Sequence, residues 1–259
     1  MKEEVKQNHP KKIGIIGITG KVGILLQEEI NKTKDLTVGL SFSRGSTHSL
    51  QDVMQDNDYI IDFSSPLLIK ELLSSAIKNP KPLVICSTGW SREENSKDLN
   101  ELSSKVPVII APNTSFAVCI QHLLAQQMAR FFDHEYDIDI LEKHHRYKID
   151  IPSGTSEQLT KAIINSKKES HNIDYNAGTL EKGPRPNNFI GQTSTRSGGV
   201  FGEHEVIFTS DYDSISIKHV AFSRSLFAKG ALKTIYWLIR KNPTPAIYSM
   251  LDIASVTTF

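Results

Sequence analysis

The chain reads as an α/β protein, with a doubly wound parallel sheet followed by a second, α+β domain. Three observations predict this. Short apolar runs alternate with helically spaced apolar residues from residue 12 to residue 110. The first run ends in a glycine-rich turn. Beyond residue 132 strand-like segments dominate instead. Strands alternating with helices indicate βαβ units and a parallel sheet, whereas strands in succession indicate a sheet of another kind.

Lys12 to Ile16 predicts the first strand, and Val22, Leu25, Leu26 and Ile30 predict the helix behind it. Leu36 to Phe42 predicts a second strand and Asp58 to Phe63 a third, buried one. Pro66 stands where a helix begins, with Leu67, Leu68, Leu72, Leu73 and Ile77 behind it. Leu83 to Cys86 predicts a fourth strand. Ser91 with Glu94 three residues on has the pattern of a capping box and predicts a polar helix. Val106 to Ile110 predicts a fifth strand. Ligands of such a sheet sit beyond the carboxyl ends of its strands, which here carry Gly17, Phe42, Ser64, Ser87 and Asn113.

Phe116 to Phe132 predicts a helix, and Tyr136 to Glu142 alternates apolar with polar residues as a half-exposed strand does. Residues 165–188 are polar and rich in Lys, Asn, Gly and Pro, which predicts a long surface loop. Gly191 to Arg196, Val200 to Thr209 and Ser214 to Phe222 predict three further strands. With few helices to cover both faces, an apolar face holding Val206, Phe208, Ile215 and Ile217 is expected to pair with another copy. Leu226 to Arg240 predicts a closing amphipathic helix. The expected division is a dinucleotide-binding domain from 1–115 with 225–259, and a substrate-binding and oligomerisation domain from 116–224.

Composition narrows the function classes. Of 259 residues, 39% are hydrophobic and 23% charged, the balance of an ordinary soluble globular protein. A net charge of +1 gives no electrostatic case for nucleic acid or a membrane surface. No apolar run approaches the length of a membrane span. Met1 to Lys12 has no apolar core of a signal peptide, and residues 1–10 read as a frayed tail. Cys86 and Cys119 stand far apart in apolar surroundings, so no disulfide framework or CxxC pair is expected and a reducing cytoplasm fits.

Two segments carry chemistry. Gly17, Ile18, Thr19, Gly20, Lys21, Val22 and Gly23 form a G-x-x-G-x-x-G turn between a strand and a helix. Glycines let backbone approach a pyrophosphate, and the helix start offers N–H groups and a positive dipole end. The other reading of such a turn is a tight βα connection without a ligand. At the end of the second strand, where an acidic residue commonly holds the adenosine ribose, there is Ser43, Arg44 and Ser46 but no Asp or Glu. Arg44 either faces a 2′-phosphate or is solvated, and Lys21 offers a second positive charge.

The second segment runs from Glu142 to Thr155. His144, His145, Lys148 and Asp150 crowd a strand exit, and Pro152, Ser153, Gly154 and Thr155 then open a helix. Hydroxyls and N–H groups at a helix start make a cradle for a carboxylate. Histidine exchanges protons near neutral pH, and lysine adds a cation and a second acid. Together they suit a dicarboxylate that takes up a proton as hydride arrives. The bland reading is a capped helix after a loop of solvated charges. HHxxK is not a metal-ligand spacing, and no metal is expected, although Glu203, His204 and His219 follow later.

E-x-H-H-x-x-K-x-D-x-P-S-G-T over residues 142–155 resembles the signature of the dihydrodipicolinate reductase family. Residues 17–23 resemble its nucleotide turn, and Asp62, Phe63 and Ser64 its D-F-(S/T) strand end. Ser87, Thr88 and Gly89 resemble its G-T-T-G loop, and residues 111–115 its A-P-N-F-S segment. Landmarks at Arg196, Gly198, Gly202, His204, Arg224 and Gly230 follow in order, so the resemblance covers residues 12–240. It implies a Rossmann-like domain closed by the last helix, a middle substrate domain, and a homotetramer built through the middle sheets. It implies His144 as proton donor and acceptor, Lys148 as proton donor, and His145, Ser153, Gly154 and Thr155 as holders of the substrate carboxylates. It implies NADPH or NADH as cofactor, contacted by the glycine turn and by Cys86, Ser87, Thr88, Ala111, Pro112, Asn113 and Thr114. Three departures bear on cofactor choice: Cys86 for a glycine, Thr114 for a phenylalanine, and the missing acidic residue. Two other functions compete: a different reductase of the same fold, such as one acting on a semialdehyde, and a catalytically silent nucleotide sensor.

Overall fold

The computed structural model describes residues 9–255. The stretch before residue 9, most of the expected tail, lies outside the described residues. In chain order the elements are β1 (Lys11–Ile16), α1 (Lys21–Asn31), β2 (Leu36–Val38), α2 (Leu50–Asp56), β3 (Tyr59–Asp62), α3 (Ile69–Lys78), β4 (Leu83–Ile85), α4 (Ser96–Ser103), β5 (Val108–Ile110), α5 (Phe116–Phe131), β6 (Asp137–His144), α6 (Gly154–His171), β7 (Asn176–Gly178), β8 (Phe189–Arg196), β9 (Gly202–Thr209), β10 (Ser214–Ala221), α7 (Ser225–Lys241), β11 (Ile247–Ser249) and α8 (Met250–Ser255). They form two compact units, one running to Ser115 and resuming at Arg224, the other spanning Phe116–Ser223.

The first unit is a six-stranded, all-parallel sheet in the order β11-β5-β4-β3-β1-β2. Helices cover both faces, so the strands are near-continuous apolar runs; Ile13, Ile15, Ile16, Ile60, Ile61, Val84 and Ile85 are fully buried. α2, α3 and α4 pack Val53, Leu72, Leu73 and Leu102 on one side, and α1 packs against α7. Each such side chain contributes roughly 1.5–3 kcal/mol on leaving water.

Several expectations are corrected here. β2 ends at Val38, although the apolar run continues to Phe42. Side chains take over part of the pairing: Ile15 N donates to Ser41 Oγ at 3.0 Å and Leu40 N to Asp56 Oδ2 at 3.1 Å, while Gly39 N and Phe42 N still donate to Ile13 O and Ile15 O. Phe42 returns only as an isolated bridge to Ile16. α2 was not expected; Ser49 and Asp52 cap it reciprocally. Pro66 opens a short 3₁₀ turn rather than the helix itself, leaving Leu67 93% exposed. Ser91 Oγ does accept from Glu94 N at 3.1 Å, but this closes a turn, and α4 starts only at Ser96. β11 and α8 extend the unit beyond the helix expected to close it.

The second unit is a mixed five-stranded sheet in the order β10-β9-β6-β8-β7. β10, β9 and β6 pair antiparallel, and β6, β8 and β7 pair parallel. Ala125 and Ala129 of α5 and Leu159 and Ile163 of α6 pack on Ile138, Ile140, Ile190, Val206 and Phe208. Val206 and Phe208, expected on a face open to another copy, are fully buried in this unit's own core. The opposite face holds the odd-numbered residues, among them Leu141, Glu203, Glu205 and Ile207. The loop expected over 165–188 is also corrected. α6 runs on to His171 because Lys167 is fully buried, its ammonium donating to Phe132 O at 2.5 Å and Asp133 O at 3.0 Å. β7 then adds a short edge strand.

Candidate active site

In the first unit, Gly17 follows β1 with φ +85, a conformation that side chains rarely adopt, and donates its N–H to Phe42 O at 2.8 Å. A Cβ on it would lie 2.7 Å from the Phe63 carbonyl, so β1 and β3 end side by side where the strand order reverses. Gly20 caps α1 without a side-chain hydrogen bond, and a Cβ on Gly23 would lie 2.2 Å from Gly17 O. The turn therefore closes tightly on itself, with Thr19, Gly20 and Lys21 exposed at its tip and Ile18 and Val22 half-buried. That backbone cradle at a helix start fits a dinucleotide's pyrophosphate.

The other strand ends differ in how much they offer. Arg44 is exposed, in a turn closed by Ser43 N donating to Ser46 Oγ at 2.9 Å. Asp62 is fully buried and accepts from the hydroxyls of Ser64 and Ser87, which ties the ends of β3 and β4 together. Burial pushes its carboxyl up against the opposing effect of those bonds. Cys86 is buried, and burial, with Asp62 adding to it, pushes the thiol well above its usual range. Ser87 is buried too, while Thr88 is exposed. Ala111 is buried, Pro112 exposed, and Asn113 half-buried with its Oδ1 accepting from Ser115 N at 2.9 Å. Thr114 turns away from the rim: it is buried, its hydroxyl donates to Phe227 O at 2.8 Å, and its own carbonyl needs a glycine at 230. A threonine in place of the family's phenylalanine thus ties β5 to α7.

The second unit holds a dense polar cluster. Alternation along β6 puts Ile138, Ile140, Glu142 and His144 on the buried face. Register sets His204 of β9 beside Glu142, and Arg196 of β8 beside His144. Glu142 Oε1 accepts from Ser194 Oγ at 2.7 Å and Arg196 Nη2 at 3.1 Å. Its Oε2 accepts from Ser156 Oγ at 2.8 Å, and both oxygens face Ser153 N at 3.1–3.2 Å. Burial alone would raise this carboxyl, but the hydrogen bonds from Ser153, Ser194 and Ser156 outweigh it and hold it at about 2.

Arg196 also reaches forward: Nε donates to Lys148 O at 3.3 Å and Nη2 to Asp150 O at 2.6 Å. Lys148 Nζ lies 2.8 Å from both Asp150 oxygens, with the lysine side chain 22% exposed. His145 is half-buried nearby in sequence, its ring 6.3 Å from Tyr147. Ser153 caps α6, and its Oγ lies 3.1 Å from His204 Nε2. His204 is held from below by Gln121, whose Nε2 donates to the carbonyls of His204 at 2.7 Å and Ile217 at 2.9 Å. Gly154 is exposed and Thr155 half-buried on the first turn of α6.

His144 is buried with its ring 5.0 Å from that of His204. Burial lowers His144 to about 4, with Glu142 pulling the other way and Lys148 and Arg196 adding to the fall. Burial, with His144 beside it, lowers His204 to about 3. Ligand-type atoms of Glu142, His144 and His204 lie within 4.8 Å of one another. The carboxylate is already filled by four donors, one a guanidinium, so this is a hydrogen-bonded set rather than a metal centre.

The sequence singles out His144 and Lys148, and the structure adds Glu142, Arg196, Ser194 and His204 as partners in the cluster. The missed signal was parity: Glu142, His144 and His204 continue the buried positions of Ile140 and Val206. Ser153 also stands differently from its expected place. It is buried, with both N–H and hydroxyl committed inside the cluster.

A glycine cradle where a parallel sheet reverses, and a cluster of buried titratable groups beside a helix start, fit a nicotinamide-dependent oxidoreductase. Two family models match the chain, dihydrodipicolinate reductase N-terminus over residues 11–114 and dihydrodipicolinate reductase C-terminus over residues 117–254. The chain belongs to the dihydrodipicolinate reductase family. It is 40% identical over 241 residues to 4-hydroxy-tetrahydrodipicolinate reductase of Chlamydia felis (strain Fe/C-56), covering 92% of this chain and 96% of that one. It is 36% identical over 241 residues to the enzyme of the same name from Rickettsia bellii (strain OSU 85-389), covering 93% of each. Among solved structures, dipicolinate-bound dihydrodipicolinate reductase from Paenisporosarcina sp. TG-14 shares the fold, with a TM-score of 0.73 at 18% identity over 93% of this chain and 97% of that one. GenD2 from gentamicin A biosynthesis, in complex with NAD, also shares it, at 0.59 and 8% over 96% and 94%.

Proposed function

We propose that this chain reduces 4-hydroxy-tetrahydrodipicolinate to tetrahydrodipicolinate, a step of diaminopimelate and lysine biosynthesis. The observation that carries the reading is the joint placement of His144 and the start of α6 around one buried carboxylate, Glu142, with Lys148 on a loop that Arg196 ties to that carboxylate, in a chain of this family. Residues 17–23 hold the cofactor's pyrophosphate, Ser43 and Arg44 lie towards its adenosine end, and Ser87, Thr88 and residues 111–113 line the remaining strand ends. When bound, the nicotinamide supplies a hydride. Everything else falls to the chain. The amides of Gly154 and Thr155, the Thr155 hydroxyl and His145 hold the substrate carboxylates. Ser153 positions that cradle by capping α6 on Glu142. Lys148 Nζ and His144 deliver the protons that the loss of a hydroxyl as water and the quenching of the reduced intermediate demand. A bound dicarboxylate brings negative charge to His144 and opposes the burial that keeps it neutral in the free protein.

The cofactor we propose is NADPH at least as readily as NADH. The segment 42–46 after β2 carries no Asp or Glu to repel a 2′-phosphate, and Arg44 and Lys21 are both exposed cations. The assembly we propose is a homotetramer, in a cytoplasmic setting that suits two free cysteines. Leu141 and Ile207 on the open sheet face support it, framed by Lys218 with Glu203 at 3.3 Å and Glu205 at 3.9 Å. Light scattering at micromolar concentration is expected to give four chains, and a stable monomer refutes this. Among the described residues no helix is long and apolar enough to cross a membrane.

The test of the reaction is oxidation of NADPH and of NADH in the presence of the condensation product of pyruvate and aspartate semialdehyde. Turnover that requires this product supports the reading. Equal turnover of a simple semialdehyde points to another reductase of the fold, and no turnover at all to a silent sensor.

A further inference from the structure

Glu142 touches neither cofactor nor substrate in the proposed reaction, yet it sits at the centre of the polar cluster of the second unit. Its side chain is 1% exposed and takes hydrogen bonds from two different elements: Ser153 and Ser156 of α6 and its cap, and Ser194 and Arg196 of β8. A buried anion of this kind is costly unless its lone pairs are filled, and here they are. One feature is not accounted for by tying elements together. His144 Nδ1, on a ring 6% exposed, has no hydrogen-bond partner among the described residues. It points at Glu142 Oε2 from 3.8 Å, too far for a hydrogen bond and close enough for a charge to matter.

We infer that Glu142 is the fixed counter-charge of the His144 imidazolium: it positions the ring through Nδ1 and stabilises the protonated form from which a proton is delivered to the substrate. The inference rests on the proposed reductase activity. In the resting protein the ring is neutral and the gap stays open. When substrate carboxylates arrive and the ring takes a proton, Nδ1–H faces an anion already held by four donors, so no group has to move far to meet the new charge. Arg196 extends the same control to the second acid. Through the carbonyls of Lys148 and Asp150 it fixes the loop that carries Lys148, and it is itself held by Glu142.

The charged and titratable groups around His144 are Glu142 on its own strand, His204 on β9, Arg196 on β8, and Lys148 and Asp150 on the following loop, with His219 of β10 beyond His204. Of these only Glu142 and Asp150 favour the imidazolium, and Asp150 is ion-paired with Lys148. Removing the charge at 142 while keeping its shape therefore leaves the proton on His144 poorly supported. Hydrogen bonding is a separate matter, since an amide oxygen still accepts from the serines.

The experiment is the pH dependence of kcat from pH 5 to pH 9 for the wild type, Glu142→Gln and Glu142→Asp, with thermal melts of each. A protonated His144 is required, so kcat falls as pH rises through its ionisation in the complex. For Glu142→Gln we expect kcat to fall by about 10-fold to 100-fold, the size of a lost acid's contribution. We also expect the alkaline fall to begin about one pH unit lower, the KM for substrate to change less than kcat, and Glu142→Asp, whose shorter side chain holds the charge farther from Nδ1, to recover only part of the shift. A lower kcat with an unmoved profile overturns the inference and leaves a structural glutamate. If Glu142→Gln does not fold, NMR titration of the His144 ring in wild type with pyridine-2,6-dicarboxylate bound decides the matter through Glu142→Asp. An unchanged ring ionisation in that variant overturns the inference, and a lowered one supports it. Wild-type protein that never turns over the proposed substrate refutes the reductase reading instead, which keeps the two failures apart.

Discussion

The two units build their sites by opposite means. In the first, the cradle is backbone: three glycines close a turn, and the charged side chains around it, Lys21 and Arg44, stand exposed. In the second, the cradle is a network of side chains, and the groups that hold it together are more buried than those expected to meet substrate. Glu142, Ser153, Ser156 and His204 are at most 4% exposed, while Gly154 is exposed and Lys148 partly so. A backbone cradle tolerates changes in the side chains around it and fails when a Cβ is added inside it. A networked cradle fails when any one partner is removed, because a buried charge or donor is left unmatched.

The largest effects are therefore expected in the second unit. His144→Ala and Lys148→Ala should each lower kcat by about 100-fold or more, as removal of a positioned acid does. Steady-state kinetics at saturating cofactor check this, and wild-type kcat in either variant removes that residue from its role.

Gly23→Ala breaks the backbone cradle. Its Cβ would sit 2.2 Å from Gly17 O and 2.8 Å from Ile18 Cα, so α1 must shift away from the turn. We expect about a 10-fold or larger loss in cofactor affinity and a cost of about 1–3 kcal/mol in stability. Calorimetric titration with NADPH and a melting curve measure both. Unchanged affinity would show that the turn does not hold the pyrophosphate.

The buried histidines make the second unit acid-sensitive. His144 and His204 are lowered from 6.5 to about 4 and about 3, so their neutral forms favour the fold. Their contribution is complete above pH 6.5 and is lost as pH falls towards those values. Glu142, lowered from 4.5 to about 2, acts in the same direction at still lower pH. In His204→Gln, where the side chain still reaches Ser153 but cannot charge, chemical-denaturation stability should fall less steeply between pH 6.5 and pH 4. An equally steep fall would contradict this.

The smallest effect is expected at the exposed rim of the first unit. A charge-assisted hydrogen bond contributes about 1.5–3 kcal/mol when well formed and less at an exposed site. Arg44→Ala should therefore reduce the NADPH-to-NADH ratio of kcat/KM by several-fold at most about 10-fold at low salt. An unchanged ratio would mean that Arg44 is only solvated.

The same contrast explains what was legible in the sequence. The parallel sheet was readable because strands covered on both faces are plain apolar runs, and the turn because only glycine fits there. β2 was overextended because Ser41 and Asp56 replace backbone partners across a distance no local pattern reveals. The loop expected at 165–188 hid half of α6, because the residue buried there is Lys167, which polarity rules place outside. The open face was assigned to Val206 and Phe208 because a sequence does not say which face its own helices cover. At the site, the motif shows the groups proposed to act but not how they are held. Glu142, Ser194, Arg196 and His204 come from three strands and meet only through register.

The claim that the first unit carries the hydride source and the second the protonating groups is tested most directly by isotope transfer. Wild-type protein is supplied with NADPH deuterated on the transferable face and with the condensation product of pyruvate and aspartate semialdehyde, and the product is weighed by mass spectrometry. The expected result is tetrahydrodipicolinate one mass unit heavier, formed at a rate that collapses in Lys148→Ala although that variant still binds NADPH. Product without deuterium from cofactor deuterated on either face, or a Lys148→Ala protein that transfers it at the wild-type rate, would contradict the account.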